Sequence, residues 1–230
     1  MKRVAILQSN YIPWKGYFDL INIADEFILY DDMQYTKRDW RNRNKIQTPN
    51  GLQWLSMAVM VKGKYFQKIS NTKISDNSWG KKHWAVLKQN YSKAAYFKVY
   101  KDIFEELYLN NKDEYLSQVN YKFICAIKQI LGISTKVRWS SDFDLADGQS
   151  EKLLGICKDC DADIYLSGPA AKDYLDENIF MRNKIKIEWM TYNNYPEYKQ
   201  LFEPFDHGVT ILDLIFNEGE NATKFMKSFN

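Results

Sequence analysis

Apolar residues fall in two rhythms along this chain, and their order decides the fold class. Val4-Ala5-Ile6-Leu7 is a short unbroken apolar run after a basic start, the pattern of a strand buried on both faces. From Trp14 to Ala24 the rhythm changes. Tyr17, Leu20, Ile21 and Ala24 recur at helical spacing, and Pro13 fits the first turn, where a missing N–H costs nothing. Glu26 to Tyr30 is a second strand, centred on Phe27-Ile28-Leu29 and closed by Asp31-Asp32. Strand, helix and strand within about 30 residues make a βαβ unit, whose crossover implies a parallel sheet.

The rhythm breaks between residues 33 and 75. Pro49-Asn50-Gly51 is a turn signal between Asn44–Gln47 and Gln53–Val59, which predicts a β-hairpin. Lys62-Gly63-Lys64 marks a second turn, and Ile69 to Ile74 reads as a further strand. Residues 76–132 carry helical spacing: Trp79–Tyr91 with Ser78 as cap, Phe97–Leu109, and Glu114–Leu131 stopping at Gly132. Strands then return at Thr135–Trp139, Asp163–Leu166 and Ile185–Met190. Helices are expected at Ser150–Asp159, from Ala170 to Leu175, and from Thr210 to Phe216, ending near Gly219. No repeat or low-complexity tract interrupts the series. The pattern predicts an α/β, Rossmann-like layered fold with a parallel sheet. One domain spans 1–230, with 33–132 as a hairpin and helical insertion.

Composition narrows the partners. Sixteen Tyr and seven Trp exceed what a dry core absorbs, because their O–H and N–H groups need acceptors. Some are expected to line a groove or an interface, which leaves room for a homo-oligomer. The formal charge is +3, from 32 basic against 29 acidic residues, too balanced for a nucleic-acid partner to be expected. No apolar run approaches the roughly 18 residues of a membrane span, and the N-terminal run is too short for a signal peptide, so a cytoplasmic location is predicted. Cys125, Cys157 and Cys160 are read as reduced thiols. Cys157-x-x-Cys160 has no second pair or nearby histidine at zinc spacing, so packing is the expected role ahead of metal or redox chemistry. No metal site and no cofactor are predicted.

In an open parallel sheet, ligands sit beyond the carboxyl ends of the strands. Three segments qualify. The first is Gln8 to Trp14: Gln8, Ser9 and Asn10 are uncharged hydrogen-bonders, Tyr11 and Trp14 offer rings, and the following helix start favours a phosphate. A capped helix start with packing aromatics is the plainer reading. The second is Asp31 to Gln34. Adjacent side chains in extended chain point to opposite faces, so Asp31 and Asp32 are no shared-proton dyad. One of them faces a site, with Asp32 as a candidate base, or both are solvated turn acids. The third is Ser167-Gly168, a tight junction where a ligand approaches backbone closely, with Lys172 nearby to meet an anion.

Outside these three, Lys37 to Lys45 holds five basic residues in nine around Trp40. Arg41, Arg43 and Asn44 there suit a nucleotide diphosphate; a solvated basic loop is the alternative. His83, in Lys81-Lys82-His83-Trp84, is the candidate catalytic histidine, kept neutral by its lysine neighbours; a surface helix histidine is the other reading.

These segments also carry a resemblance. Gln8-Ser9-Asn10-Tyr11-Ile12-Pro13-Trp14-Lys15-Gly16-Tyr17-Phe18 is similar to the opening motif of the WbqC-like family. The similarity continues through Asp31–Gln34, Trp40–Asn44, Asn90-Tyr91, Tyr96-Phe97, Tyr165–Gly168 and Tyr174-Leu175, and closes at Ile211–Asn217 and Gly219. It departs at the head of the first loop, where many relatives carry His-Gln-Pro and this chain has Leu7, Gln8 and Ser9. The resemblance implies a role in O-antigen or capsule assembly. Joined to the site reading, it suggests acyl or aminoacyl transfer to a nucleotide-linked amino sugar, with that sugar and an acyl donor as partners. A nucleotidyltransferase, or a non-catalytic subunit of an assembly complex, is the alternative.

Overall fold

In chain order the elements are β1 (Arg3–Leu7), α1 (Lys15–Ile23), β2 (Glu26–Leu29), β3 (Arg43–Thr48), β4 (Gly51–Ser56), α2 (Trp79–Tyr91), α3 (Phe97–Leu109) and α4 (Leu116–Ile130). There follow β5 (Lys136–Trp139), α5 (Gln149–Asp159), β6 (Ile164–Ser167), α6 (Glu177–Arg182), β7 (Lys186–Trp189) and α7 (Ile211–Glu218). The structure is a computed structural model and describes residues 1–229. Five strands form one sheet in the order β5-β2-β1-β6-β7, every neighbour parallel. β3 and β4 pair antiparallel as a separate hairpin, Arg43 opposite Ser56 and Thr48 opposite Gly51. The α/β class, the parallel sheet and the hairpin are those the apolar rhythms predict.

Successive strand residues face opposite sides of a sheet, and here both sides are covered. Ala5, Phe27 and Leu29 join Phe18 and Ile21 of α1 and Phe123 and Ile127 of α4 in one buried cluster. That cluster also takes in Ile46 and Leu55 of the hairpin, Leu87 of α2, Phe104 of α3 and Phe216 of α7. Val4, Ile6 and Ile28 form a smaller cluster on the other side with Leu153 and Ile156 of α5 and Phe180 of α6. The result is helix, sheet, helix, with the excursion between β2 and β5 sharing the larger core.

Several local expectations differ from the fold. Residues 69–74 are no strand. Ile69–Asn71 is a 3-10 turn, because the N–H groups of Ile69 and Ser70 donate to the carbonyls of Met33 and Asp31, and Thr72 Oγ1 donates to Lys68 O. The segment after β6 is likewise a 3-10 turn, Pro169–Asp173. The six-residue α6 has no apolar rhythm to reveal it, and is started by Asp176, whose carboxylate accepts from the Asn178 N–H at 2.9 Å. Pro13 lies one residue before the helix cap Trp14, not in the first turn, and follows Ile12 in left-handed backbone (φ 38°). Ser78 holds the cap position of α2, its carbonyl accepting from the Lys82 N–H, but its side chain does no capping. Its hydroxyl donates to Asp76 Oδ1 instead.

Candidate functional site

The strand order reverses at β1: β2 leaves on one side, β6 arrives on the other. Such a switch point opens a crevice at the carboxyl end of the sheet. A cavity of ≈ 220 Å³ lies there, walled by Gln8, Tyr30, Arg41, Tyr165, Ser167 and Gly168 among others. So the first and third predicted segments, Gln8 onward and Ser167-Gly168, meet across one cavity, and Arg41 of the basic segment joins them. Among the described residues lining it, Arg41 is the one side chain charged at neutral pH.

The extended chain leaving β1 deals its side chains alternately. Gln8 turns into the switch-point cavity. Ser9 is buried: its N–H donates to Asp31 Oδ1 at 2.8 Å, and its hydroxyl accepts from Asn120 Nδ2 at 3.0 Å. Asn10 faces a second cavity of ≈ 270 Å³, lined also by Pro13, Trp14, Trp40, Asn44 and Gly208. Arg41 spans the two. Its Nη2 donates to Gln8 Oε1 at 3.3 Å and its Nη1 to Asn10 Oδ1, while Asp39 lies 3.8 Å away. Trp14 rests against Gly16, so an indole roofs the start of α1.

Asp31 and Asp32 lie in a turn after β2 rather than in extended chain, and their side chains diverge. Asp31 is buried between Ser9 and the Ser117 hydroxyl, which donates to it at 2.5 Å, and burial raises its carboxyl pKa despite these bonds. Asp32 points the other way, 2.7 Å from Lys68 Nζ and 2.7 Å from Ser140 Oγ. Partial burial would raise its pKa, but those two bonds outweigh it and hold the carboxyl below its ordinary value. The adjacent Met33 lines the switch-point cavity, as does Tyr30, whereas Asp32 itself lines neither cavity.

His83 is buried rather than on a helix surface. Its Nδ1 lies 2.8 Å from the Tyr11 hydroxyl and its Nε2 lies 3.3 Å from the Ser56 carbonyl. A carbonyl only accepts, so Nε2 carries the hydrogen and Nδ1 accepts from Tyr11. The pKa is lowered to about 4. Burial is the main cause, and the lysine neighbour Lys82 is a minor one. His83 lines neither cavity, and Tyr11, fully buried against it and Tyr108, offers no open ring face.

Of the remaining candidates, Asn44 lines the second cavity and the others are dispersed. Asn44 is structural: its Nδ2 donates to the carbonyls of Tyr11 (3.2 Å) and Ile12 (2.8 Å), fixing the left-handed turn. Arg43 lies 4.1 Å over the Trp54 ring and donates to Arg38 O. Gln34 Nε2 donates to Tyr65 O at 2.8 Å, outside both cavities. Lys172 sits 5.4 Å from the Trp189 ring. Cys157 and Cys160 are free, buried thiols packed with Leu153 and Ile156; burial pushes both pKa values up, Cys160 to about 11.

The model of the WbqC-like protein family matches residues 8–225, almost the whole chain. This chain belongs to the WbqC-like protein family. It is 50% identical over 227 residues to a Mycobacterium tuberculosis (strain ATCC 25618 / H37Rv) protein, "Uncharacterized protein Rv1507c", covering 99% of this chain and 98% of that one. No solved structure matches. No helix among the described residues is long and apolar enough to cross a membrane.

The WbqC-like match, residues 8–225, takes in every residue lining the two cavities except Ile6 and Leu7, including lining residues not named as site candidates from sequence. Tyr30 and Tyr165 are such residues. Tyr30 directly follows β2, where the carboxyl-end rule would have found it, whereas Tyr165 is the second residue of β6 and lies upstream of that end. Gln149, at the start of α5, is fixed by folding alone.

Proposed function

We propose that this WbqC-like protein is an enzyme of surface polysaccharide assembly that takes a nucleotide-linked amino sugar at the switch-point cavity. The observation that carries the ligand class is Arg41. A guanidinium only 14% exposed, steadied by Gln8 and Asn10 beside an otherwise uncharged cavity, is a pre-set receiver for a phosphate oxygen pair. The polysaccharide setting comes from the family resemblance alone.

The reaction best matched to such a ligand is acyl or aminoacyl transfer to the sugar amine. The amine nitrogen attacks the donor's carbonyl carbon, the donor's leaving group departs, and the nitrogen gives up a proton. Asp32, which lines neither cavity but directly precedes the cavity-lining Met33, is the candidate to receive it, since His83 is enclosed by Tyr11 and Ser56. Once the acyl bond forms, the nitrogen is far more acidic than an amine, so a weakly basic carboxylate suffices. A non-catalytic binding role is the second reading. It is favoured by a cavity lining of tyrosines, amides and one arginine, with no carboxylate or imidazole among the described residues.

Thermal shift and calorimetry against a panel of nucleotide-sugars, with RNA as comparator, test the ligand class. Binding of at least one nucleotide-sugar, lost in Arg41→Gln, is expected. A response to RNA and to no nucleotide-sugar rejects the proposal. Asp32→Asn separates the two readings: turnover collapses with binding intact if the protein is an enzyme, and cellular function persists if it only binds.

A further inference from the structure

The Gln8–Arg41–Asn10 fork links the linings of the two cavities. Gln8 lines the switch-point cavity, Asn10 lines the second cavity, and Arg41 donates to both side chains. Two residues of extended chain span about 7 Å at most, the scale of a pyrophosphate linker. The second cavity differs in chemistry from the first. Pro13, Trp14 and Trp40 give it flat carbon walls, and the Asn10 Nδ2 has no hydrogen-bond partner within the chain among the described residues. Trp40 is 42% exposed, so its ring is reachable from solvent. It is also braced: Trp54 packs on it at 5.4 Å between ring centroids, and the Arg43 guanidinium lies 4.1 Å over Trp54. On its far side Trp14 is wedged by Tyr192 and Tyr195 at 5.3 and 5.5 Å. Two braced indoles in one cavity, with an amide beside them and an arginine held by that amide, match a nucleobase followed by phosphate.

Resting on the nucleotide-sugar reading, we infer that the second cavity is the nucleoside subsite. The base enters between Trp14 and Trp40 with its polar edge on Asn10. The diphosphate crosses the Arg41 fork, and the sugar drops into the switch-point cavity against Gln8 and Ser167. This orientation makes Trp40 and Asn10 determinants of which nucleotide is accepted. An uncharged ring without phosphate would occupy the slot only weakly, since it forgoes Arg41.

The test is calorimetry on the full chain with inorganic pyrophosphate, UDP, dTDP and GDP, and the hexose conjugate of each nucleotide. The nucleotide that the wild type prefers is carried through the variants. Trp40→Ala is expected to weaken that nucleotide and its conjugate equally, by about tenfold, the lower range for loss of one stacked base, and to leave pyrophosphate unchanged. Trp40→Phe restores most of the loss, which separates a lost stacking face from a damaged fold. Ala170→Trp, at an exposed residue on the rim of the switch-point cavity, weakens the conjugate and spares the free nucleotide. Nucleotide affinity unmoved by Trp40→Ala, or Ala170→Trp weakening the free nucleotide as much as the conjugate, overturns the subsite assignment while leaving nucleotide-sugar binding in place. If no nucleotide or conjugate binds the wild type, both readings fall together.

Discussion

At the scale of single residues, the sequence marks polar groups but not which way they face. Gln8, Ser9 and Asn10 are consecutive, and only alternation of the extended chain sends the first and third to cavities and the second inward to Asp31. His83 shows the limit. Its helix and its lysine neighbours are visible in sequence, whereas its burial depends on Tyr11 and Ser56, respectively 72 and 27 residues away. That burial has a measurable consequence. The folded pKa is about 4 against an ordinary 6.5, so between these values the unfolded chain binds a proton that the folded one refuses. Stability contributed by the neutral ring is therefore complete above pH 6.5 and drains away as pH falls toward 4. His83→Gln removes the titration while keeping an acceptor for Tyr11. Equilibrium urea unfolding should show the advantage of wild type over His83→Gln shrinking across that window, by roughly 3 kcal/mol if the full shift is expressed. An advantage that holds level with pH would mean His83 is hydrated in the fold.

At the scale of elements, most of the fold was legible. The strands and longer helices follow apolar rhythm, and α2 and α3 begin and end at the residues their patterns mark. What failed was governed by partners distant in sequence: residues 69–71 turn because carbonyls of the loop after β2 take the N–H groups of Ile69 and Ser70. Glycines show the same split. A Cβ on Gly155, inside α5, would meet nothing within 4 Å, whereas a Cβ on Gly80 of α2 would sit 2.0 Å from the Tyr108 carbonyl oxygen of α3. Both read identically in sequence, as a glycine within a helical rhythm. Gly155→Ala should stabilise the protein by about 0.5–1 kcal/mol through helix propensity. Gly80→Ala should destabilise it by about 1–3 kcal/mol or more, because two helix backbones must part. Urea midpoints for the pair would show opposite signs. Equal stabilisation would mean α2 and α3 do not approach so closely.

Over the whole molecule, three buried carboxylates bind segments far apart in sequence. Asp19 of α1 accepts from the Tyr195 hydroxyl at 2.6 Å and from the N–H groups of Lys227 and Ser228 at 3.1 and 2.9 Å. Asp31 joins the first loop to α4 through Ser9 and Ser117. Asp213 of α7 accepts from Tyr91 of α2 at 2.6 Å and from Tyr198 at 2.8 Å. Part of the tyrosine surplus that composition assigned to a groove is thus spent on internal acceptors. Asp213 gives the cleanest trial, since it lines neither cavity. Asp213→Leu strands two buried hydroxyls and should cost about 3–5 kcal/mol; Asp213→Asn keeps one acceptor oxygen and should cost less. The pH sense is opposite to that of His83. Burial raises the Asp213 pKa above 3.8, so the folded chain holds a proton that the unfolded one has lost. Stability from this group is full below pH 3.8 and falls as pH rises through the folded value. The gap between wild type and Asp213→Asn should accordingly narrow as pH climbs out of the acid range, while the His83→Gln gap widens. Nucleotide-sugar affinity, measured where both proteins remain folded, should match between wild type and Asp213→Asn, because this carboxylate holds α7 to α2 and touches no cavity wall.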